Sequence, residues 1–411
     1  MKRLFRIGSG LFIYSLIPIL SWIVLSYTLG DSRISNVYSL TYAMQFVWMI
    51  LKSFFASSAN IRKHKEQQSN ATWNGIFWGT IFSAIIFAIP LIFVDNYISF
   101  FGQDEELYRI YVIYAIVQLF IQTMFSFIIE KLFFEDKDKI ANIHLFAFNI
   151  LNFVVVVVLT LLIENTLLAF IITLAILFIY VLALYIWQFE KFKIDFSFFK
   201  NFKYESASIV SSIFMMLIYL FGFQNVFSTG EEYLIALNLV TLCTDAQWDC
   251  LGAISTVAKV DISKNRYNYR QELKNSYFFT LIVIASSFVM TFALIFLFNA
   301  SLPLVLIYMA FQVFDFLTTP ISDILAVFTQ LEYSPVLNTI ISLSTKAVRV
   351  LLSVVIMSPF CTDIGQVVEA VLLLGALMII RFTKYKVSEG KLLVKTSEND
   401  LENLPNGEEG D

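Results

Sequence analysis

Long uninterrupted apolar runs are the feature that most limits what this chain can fold into. A helix needs about 20 apolar residues to cross the hydrocarbon core of a bilayer, and a β-barrel would show short alternating strands instead. Hydrophobic residues make up 58% of the 411 residues and charged residues 15%, against about 45–50% and 25% in soluble domains. The sequence therefore predicts an all-α polytopic membrane protein. Twelve transmembrane helices are predicted, at residues 8–29, 35–58, 73–95, 107–129, 140–162, 165–188, 206–227, 232–257, 273–298, 302–329, 335–357 and 364–383.

Basic residues are distributed unevenly between the two sets of loops. Of the 28 Lys and Arg residues, 23 lie in the termini and in the loops that would share their side, whereas the opposite loops hold Arg33 and Arg109. Positive charge concentrates on the cytoplasmic side of membrane proteins. We therefore expect a multi-pass protein of the plasma (cytoplasmic) membrane with both termini cytoplasmic. The first apolar run is longer than the core of a signal peptide, so we expect it to be a retained span.

The two halves of the chain share a layout. Residues 53–79 can be laid on residues 251–279, and residues 130–159 on residues 329–355, which places Asn149 on Lys346. Six spans plus six of the same orientation predict a parallel repeat, with a central cavity between two lobes. The predicted divisions are an N-lobe at 1–190, a cytoplasmic linker at 191–205, a C-lobe at 206–385 and a disordered acidic cytoplasmic tail at 386–411.

Four aspartates lie where charge is costly. Asp245 and Asp249 lie near the middle of a predicted span and, being four residues apart, share a helix face. Asp315 and Asp323 are eight residues apart in another span, with Pro320 between them. An acid at mid-membrane depth costs several kcal/mol unless it is paired, hydrated or protonated. We therefore predict that these four carboxylates bind a coupling cation, either H⁺ or Na⁺.

Two intramembrane cations and several neutral polar residues complete the candidate site. Lys346 and Arg349 are predicted to be charge partners, and permanent salt bridges to two of the aspartates are the structural alternative to cation coupling. The predicted substrate cavity is lined by Gln118, Gln122, Asn149, Asn152 and Trp248. Amides in spans also serve as contacts between helices. The sequence contains no catalytic or metal-ligand motif, so we predict neither an enzyme nor a resident metal or other cofactor.

Two stretches at this topology resemble a known family. In FFEDKDKIANIHLFAFNILNFVVVVVL, Asp136, Asn149 and Asn152 match a turn after span 4 followed by a helix with spaced Asn. In EYSPVLNTIISLSTKAVRVLLSVV, a similar turn precedes a helix with a basic residue at Arg349. Over about residues 5–385, the chain resembles the multidrug and toxic compound extrusion (MATE) family of the flippase-like exporter superfamily. The resemblance implies a two-lobe exporter that works by alternating access.

The chain departs from the branches of that family in its acids. One branch uses an acid in span 1 and another uses one in span 7, and both spans lack it here. The second branch also uses an acid in span 10, where Asp315 and Asp323 lie. The Asp245 and Asp249 pair has no counterpart that can be carried over.

These observations predict a secondary antiporter that exports amphipathic, cationic small molecules in exchange for H⁺ or Na⁺. The alternative is a lipid-linked oligosaccharide or lipid flippase of the same superfamily, whose cavity would need cations such as Lys346 and Arg349 to bind pyrophosphate. The expected partners are a small-molecule substrate and the lipid bilayer, with no nucleic acid. A two-lobe repeat needs no second copy to form a cavity, so we expect the monomer to be functional.

Overall fold

The computed structural model describes residues 1–31, 34, 37–100, 105–218, 231–298, 300–356, 358–388 and 391–394. Arg33, much of both acidic loops opposite the termini and the tail from residue 395 lie outside these described residues. The description below concerns the described part of the chain.

Fourteen helical segments account for nearly all of the described chain. The first half contains α1 (Lys2–Thr28), α2 (Val37–Leu51), α3 (Ser58–Lys65), α4 (Ala71–Ile92), α5 (Val94–Phe100), α6 (Glu105–Phe134), α7 (Asp138–Leu162) and α8 (Thr166–Trp187). The second half contains α9 (Phe202–Leu217), α10 (Glu231–Ser263), α11 (Tyr269–Phe298), α12 (Leu302–Phe328), α13 (Pro335–Val355) and α14 (Cys361–Lys384). The predicted all-α membrane fold is confirmed.

Local sequence signals set several of the helix ends. The Asn165 side chain accepts a hydrogen bond from the Leu168 N–H and caps α8. Ser334 does the same for Leu337 at the start of α13, where Pro335 occupies the first turn. Both arrangements satisfy N–H groups that a helix leaves without partners. Asp136 adopts a left-handed conformation with φ 60° between α6 and α7, which Asp and Asn tolerate better than other side chains.

Nine of the described helices are long and apolar enough to cross a membrane. Each of the twelve predicted spans overlaps a helix, but those at α2, α9 and α10 are not among the nine. Helix α2 has 15 residues and continues through a π-helical turn, Lys52–Ser57, into α3. Helix α10 carries two aspartates near its middle. The count of twelve crossings therefore stays a prediction.

The two halves meet along central helices. Helix α1 packs against α7 of its own half and against α10 of the other, and α2 packs against α9. In the second half, α13 packs on α9 and α14, while α12 packs on α10 and α14. Such pairings leave a space between the halves, which is where the cavity lies.

The start of the predicted disordered tail requires a correction. Strands β1 (Tyr385–Ser388) and β2 (Lys391–Val394) pair in antiparallel fashion. Tyr385 and Leu392 are buried, and the Tyr385 hydroxyl lies 3.0 Å from Thr329 Oγ1. These strands, stabilised by burial of the two side chains, fall where the tail was predicted to be disordered, so disorder beginning at residue 386 was wrong.

Candidate functional site: an acidic cavity between the two lobes

A cavity of about 650 Å³ lies between the two halves of the molecule. Helices α1, α2 and α6 line it from the first half, and α9, α10, α12, α13 and α14 line it from the second. Its volume is within the usual range for small-molecule sites, about 300–1,000 Å³. Polar and charged side chains interrupt an otherwise apolar wall.

The paired aspartates of α10 both line this cavity. Asp245 and Asp249 are one helical turn apart and half-buried. The hydroxyl of Tyr42 on α2 donates to Asp245 Oδ1 at 3.3 Å, which links the two lobes across the cavity. The α10 acids are therefore accessible from the cavity rather than buried in the packing between helices.

The aspartates of α12 line the same cavity from another side. Asp315 Oδ2 accepts a hydrogen bond of 2.6 Å from Gln366 Nε2 of α14. Asp323 lies two turns further along α12 and also faces the cavity. The four aspartates singled out in the sequence thus share one enclosed space.

The two intramembrane cations do not pair with those aspartates. Lys346 Nζ lies 2.6 Å from Glu369 Oε1, and Arg349 Nη1 lies 3.1 Å from Glu369 Oε2. The permanent salt bridges to Asp245, Asp249, Asp315 or Asp323, which the sequence left open as an alternative, are therefore not among the ion pairs of the described residues. The reason is the packing of α13 directly on α14, which places Glu369 closer to both cations. Glu369 lies inside the predicted span 364–383, so its position alone was a usable signal.

Three further acids escaped the sequence analysis. Asp363 on α14 is buried, and its Oδ1 lies 3.4 Å from Gln312 Nε2. Glu130 lies 3.4 Å from Lys52, and Glu205 lies 2.8 Å from Lys259. Glu130 and Glu205 lie one residue outside the predicted spans 107–129 and 206–227, so the sequence analysis did not single them out.

The charges around the cavity do not balance. Eight acidic and four basic side chains line it. All four bases are paired with Glu130, Glu205 or Glu369. Five aspartates remain that form no ion pair with any Lys or Arg of the described residues, namely Asp245, Asp249, Asp315, Asp323 and Asp363. The cavity therefore has spare negative charge for a cation to neutralise.

The predicted cavity-lining polar residues fall into two groups. Trp248 lines the cavity, and its indole N–H donates to Gln312 Oε1 at 3.0 Å. Gln118 and Gln122 line a small recess beside it. Asn149 donates to the Leu145 carbonyl of its own helix, and Asn152 accepts from the Tyr114 hydroxyl at 3.3 Å. Both Asn residues are thus placed as contacts within the helix bundle rather than on the cavity wall.

One end of the bundle is held closed by ion pairs. We call it the basic face; it carries the α6–α7 loop, the α11 N-terminus and Lys65. Asp136 lies 2.7 Å from Lys264 and is bidentate to Arg266, across the boundary between lobes. Hydrogen bonds from Arg266 hold the pKa of the Asp136 carboxyl well below its usual range. Lys65 likewise lies 2.7 Å from Glu332. The lobes are therefore joined at this face.

The fold and the cavity together define a class: a two-lobed helical membrane protein with a polar chamber between its halves, the architecture of secondary transporters. Solved structures share this fold over nearly its whole length. A MATE transporter in complex with MaD3S is 17% identical, with a TM-score of 0.72, over 93% of this chain and 95% of that one. An outward-facing multidrug resistance MATE transporter of the MOP superfamily is 15% identical, with a TM-score of 0.69, over 93% and 95%.

A third similar structure bears on the cavity. It is a MOP superfamily transporter from Pyrococcus furiosus, described as having a binding pocket of reverse polarity that suggests a different function. It is 15% identical, with a TM-score of 0.72, over 92% of this chain and 95% of that one. No family model matches the sequence, and no curated protein matches it. The chain thus has the fold of MATE transporters, which confirms at the level of fold the resemblance found in its sequence.

Proposed function

We propose that this protein is a secondary antiporter that exports amphipathic cations in exchange for H⁺ or Na⁺. The observation that carries the proposal is the set of five aspartates that form no ion pair with a described Lys or Arg, in a cavity whose four bases are engaged by three glutamates and are outnumbered by its eight acids. Burial and mutual repulsion disfavour the ionised form of these carboxylates, and a cation that enters the cavity would stabilise that form. If two cationic species compete for the same carboxylates, binding of one releases the other, and this is the simplest basis for exchange.

The apolar part of the cavity wall suits an amphipathic substrate. Phe46, Trp48, Met49, Met215 and Trp248 are among its lining residues. Aromatic faces attract cations, and Met adapts to varied shapes. An organic cation can therefore place its charge near the aspartates and its apolar body against these side chains.

The charges that line the cavity also favour a cation exporter over a lipid-linked oligosaccharide flippase. A pyrophosphate group needs cations that are free to bind it. Lys346 and Arg349, the two cations that favoured that alternative, are both engaged by Glu369. Since the same fold accommodates pockets of opposite polarity, the lining charges are the better guide to substrate than the fold.

Alternating access requires that the basic face opens. The ion pairs of Asp136 with Lys264 and Arg266 and of Lys65 with Glu332 cross between the lobes there. We propose that the basic face is cytoplasmic, in agreement with the distribution of Lys and Arg. Opening inward would exchange these ion pairs for hydration, and exposed pairs cost little to break. One chain forms the whole cavity, so the monomer suffices.

Efflux of ethidium from energised cells tests the proposal. Cells expressing the wild-type chain should lose the dye faster than cells without it. Asp315→Asn and Asp245→Asn should reduce efflux to background at matched expression. Glu164→Gln is the control, because Glu164 is an exposed acid in the α7–α8 loop; it should transport like wild type. Wild-type cells that retain ethidium under every Na⁺ and pH condition would overturn the proposal.

A further inference from the structure

A small recess opens from the central cavity at the boundary between the lobes. Its volume is about 30 Å³, close to the share of one water molecule in the liquid. Tyr14, Ser15, Gln45 and Asp249 line both the recess and the main cavity, so the two spaces are continuous. The recess is too small for an organic substrate and has room for a water molecule or a small inorganic ion.

The polar atoms of the recess are mainly oxygens from different helices. Asp249 of α10 supplies a carboxylate, Ser15 of α1 a hydroxyl, and Gln45 of α2 and Gln118 of α6 amide groups. Oxygen ligands of this kind suit hard cations rather than soft transition metals. This set of residues combines one negatively charged ligand with several neutral oxygen ligands.

Gln118 is the observation that points to a ligand. Its side chain is 7% exposed and lines the recess. Among the described residues, it has no hydrogen-bond partner for its amide. A buried polar side chain is costly unless a partner satisfies it, and a species bound in the recess, which Gln118 lines, can supply that partner.

Pro18 adds a further oxygen. It lies inside α1 and lines the recess together with Tyr14. Proline has no N–H, so it cannot donate to the carbonyl of Tyr14, four residues earlier. Main-chain carbonyls freed in this way coordinate cations in membrane transporters. Residues that carry carboxylate, amide and hydroxyl oxygens, together with the residue whose main-chain carbonyl Pro18 leaves free, therefore line one small space.

We propose that this recess is a Na⁺ site that bridges the two lobes. A monovalent cation balances the single carboxylate, whereas a divalent cation would leave net charge in the membrane interior, where it is costly. Asp249 comes from the C-lobe and Gln118, Gln45 and Ser15 come from the N-lobe. Bound Na⁺ consequently holds the lobes in register, and its release allows them to separate. The inference deepens the proposed function, on which it rests for the role of the ion in exchange.

Binding of radioactive ²²Na⁺ to the purified full-length protein in nanodiscs tests the site. Wild type should bind Na⁺ saturably, with much weaker competition from K⁺ and none from choline. Asp249→Asn should weaken binding at least about tenfold, which corresponds to about 1.4 kcal/mol for the loss of a charged ligand. Gln118→Leu keeps the side-chain volume but removes an oxygen, and it should weaken binding several-fold. Glu164→Gln is the control, because Glu164 is an exposed acid that lines neither the recess nor the cavity; it should bind Na⁺ like wild type.

The outcomes separate the site from the proposed function. Wild-type affinity for Na⁺ in both Asp249→Asn and Gln118→Leu would overturn the site, as would equal competition by Na⁺ and K⁺. Gln118→Leu keeps the test decisive if Asp249→Asn does not fold. No Na⁺ binding together with ethidium efflux driven by a pH gradient would overturn the site and leave the antiporter. Na⁺ binding that follows the predicted variants without efflux of any cationic dye would uphold the site and overturn the antiporter.

Discussion

Neutralising Glu369 alone should destabilise the protein far more than removing the whole charged triad to which it belongs. Glu369 lies 2.6 Å from Lys346 and 3.1 Å from Arg349. The side chains of the three residues are 8%, 14% and 11% exposed. Glu369→Gln leaves two buried cations without a counterion.

The expected magnitude follows from these distances. At an effective dielectric constant of about 20, each contact is worth about 5–6 kcal/mol before desolvation is subtracted. Desolvation offsets much of this gain, and breaking a buried pair by removing one partner costs about 3–5 kcal/mol net. Replacing all three residues by apolar ones of similar size removes the charges and their desolvation together. The triple variant Lys346→Met, Arg349→Met, Glu369→Leu should therefore recover most of the loss.

Thermal unfolding of the purified protein in one detergent measures the effect. Glu369→Gln should lower the Tm by at least about 5 °C, and the triple variant should lie closer to wild type than to Glu369→Gln. Glu332→Gln is the control, because the Glu332–Lys65 pair is 31% and 21% exposed and such pairs contribute about 1 kcal/mol or less. A Glu369→Gln variant as stable as wild type, or a triple variant less stable than Glu369→Gln, would refute this reasoning.

Four other perturbations have definite expected results. Asp136→Asn keeps a residue that tolerates φ 60° but removes one of the charges that join the lobes, so spin labels on the two lobes at the basic face should move apart at pH 7; unchanged distances would contradict this. Because the pKa of Asp136 lies below its usual 3.8, its ion pairs stabilise contact at neutral pH, and in wild type the same distances should grow only below about pH 4; separation already at pH 6 would contradict this assignment. Trp248→Phe keeps an aromatic face but loses the N–H bond to Gln312 and should weaken ethidium binding, measured by its fluorescence, by about tenfold or less. Ser334→Ala removes the N-cap of α13 and should cost about 1 kcal/mol in thermal unfolding, whereas Ser334→Asp should be nearly neutral.

The helices and four of the eight acids of the cavity were predictable because each leaves a local signal. An apolar run long enough to span a bilayer is read directly from the sequence, and the observed helix bounds lie within a few residues of the predicted spans in most cases, such as α7 at Asp138–Leu162 against 140–162. An acid such as Asp315 inside such a run is equally visible. Because an acid in the membrane interior is costly, its position marks it as a candidate site residue whichever residues it contacts.

Pairings between distant segments were not predictable in the same way. Whether Arg349 meets Asp315 or Glu369 depends on which helices are neighbours, and spacing within one helix does not contain that information. The recess poses the same difficulty, since Gln118 and Asp249 line one space only because distant helices α6 and α10 are neighbours in the fold. The strands at Tyr385–Ser388 and Lys391–Val394 were missed because their position depends on Tyr385 reaching Thr329, a contact between distant segments.

Transport of dyes of opposite charge by purified protein in liposomes is the most direct test of the acidic cavity. Ethidium, a cation, would be compared with 8-anilinonaphthalene-1-sulfonate, an anion of similar size, under an imposed Na⁺ or pH gradient, for wild type and Asp315→Asn. The unbalanced aspartates predict gradient-driven movement of ethidium by wild type, none by Asp315→Asn, and none of the anion by either. Equal movement of both dyes, or movement of the anion alone, would contradict the assignment of this cavity to cations.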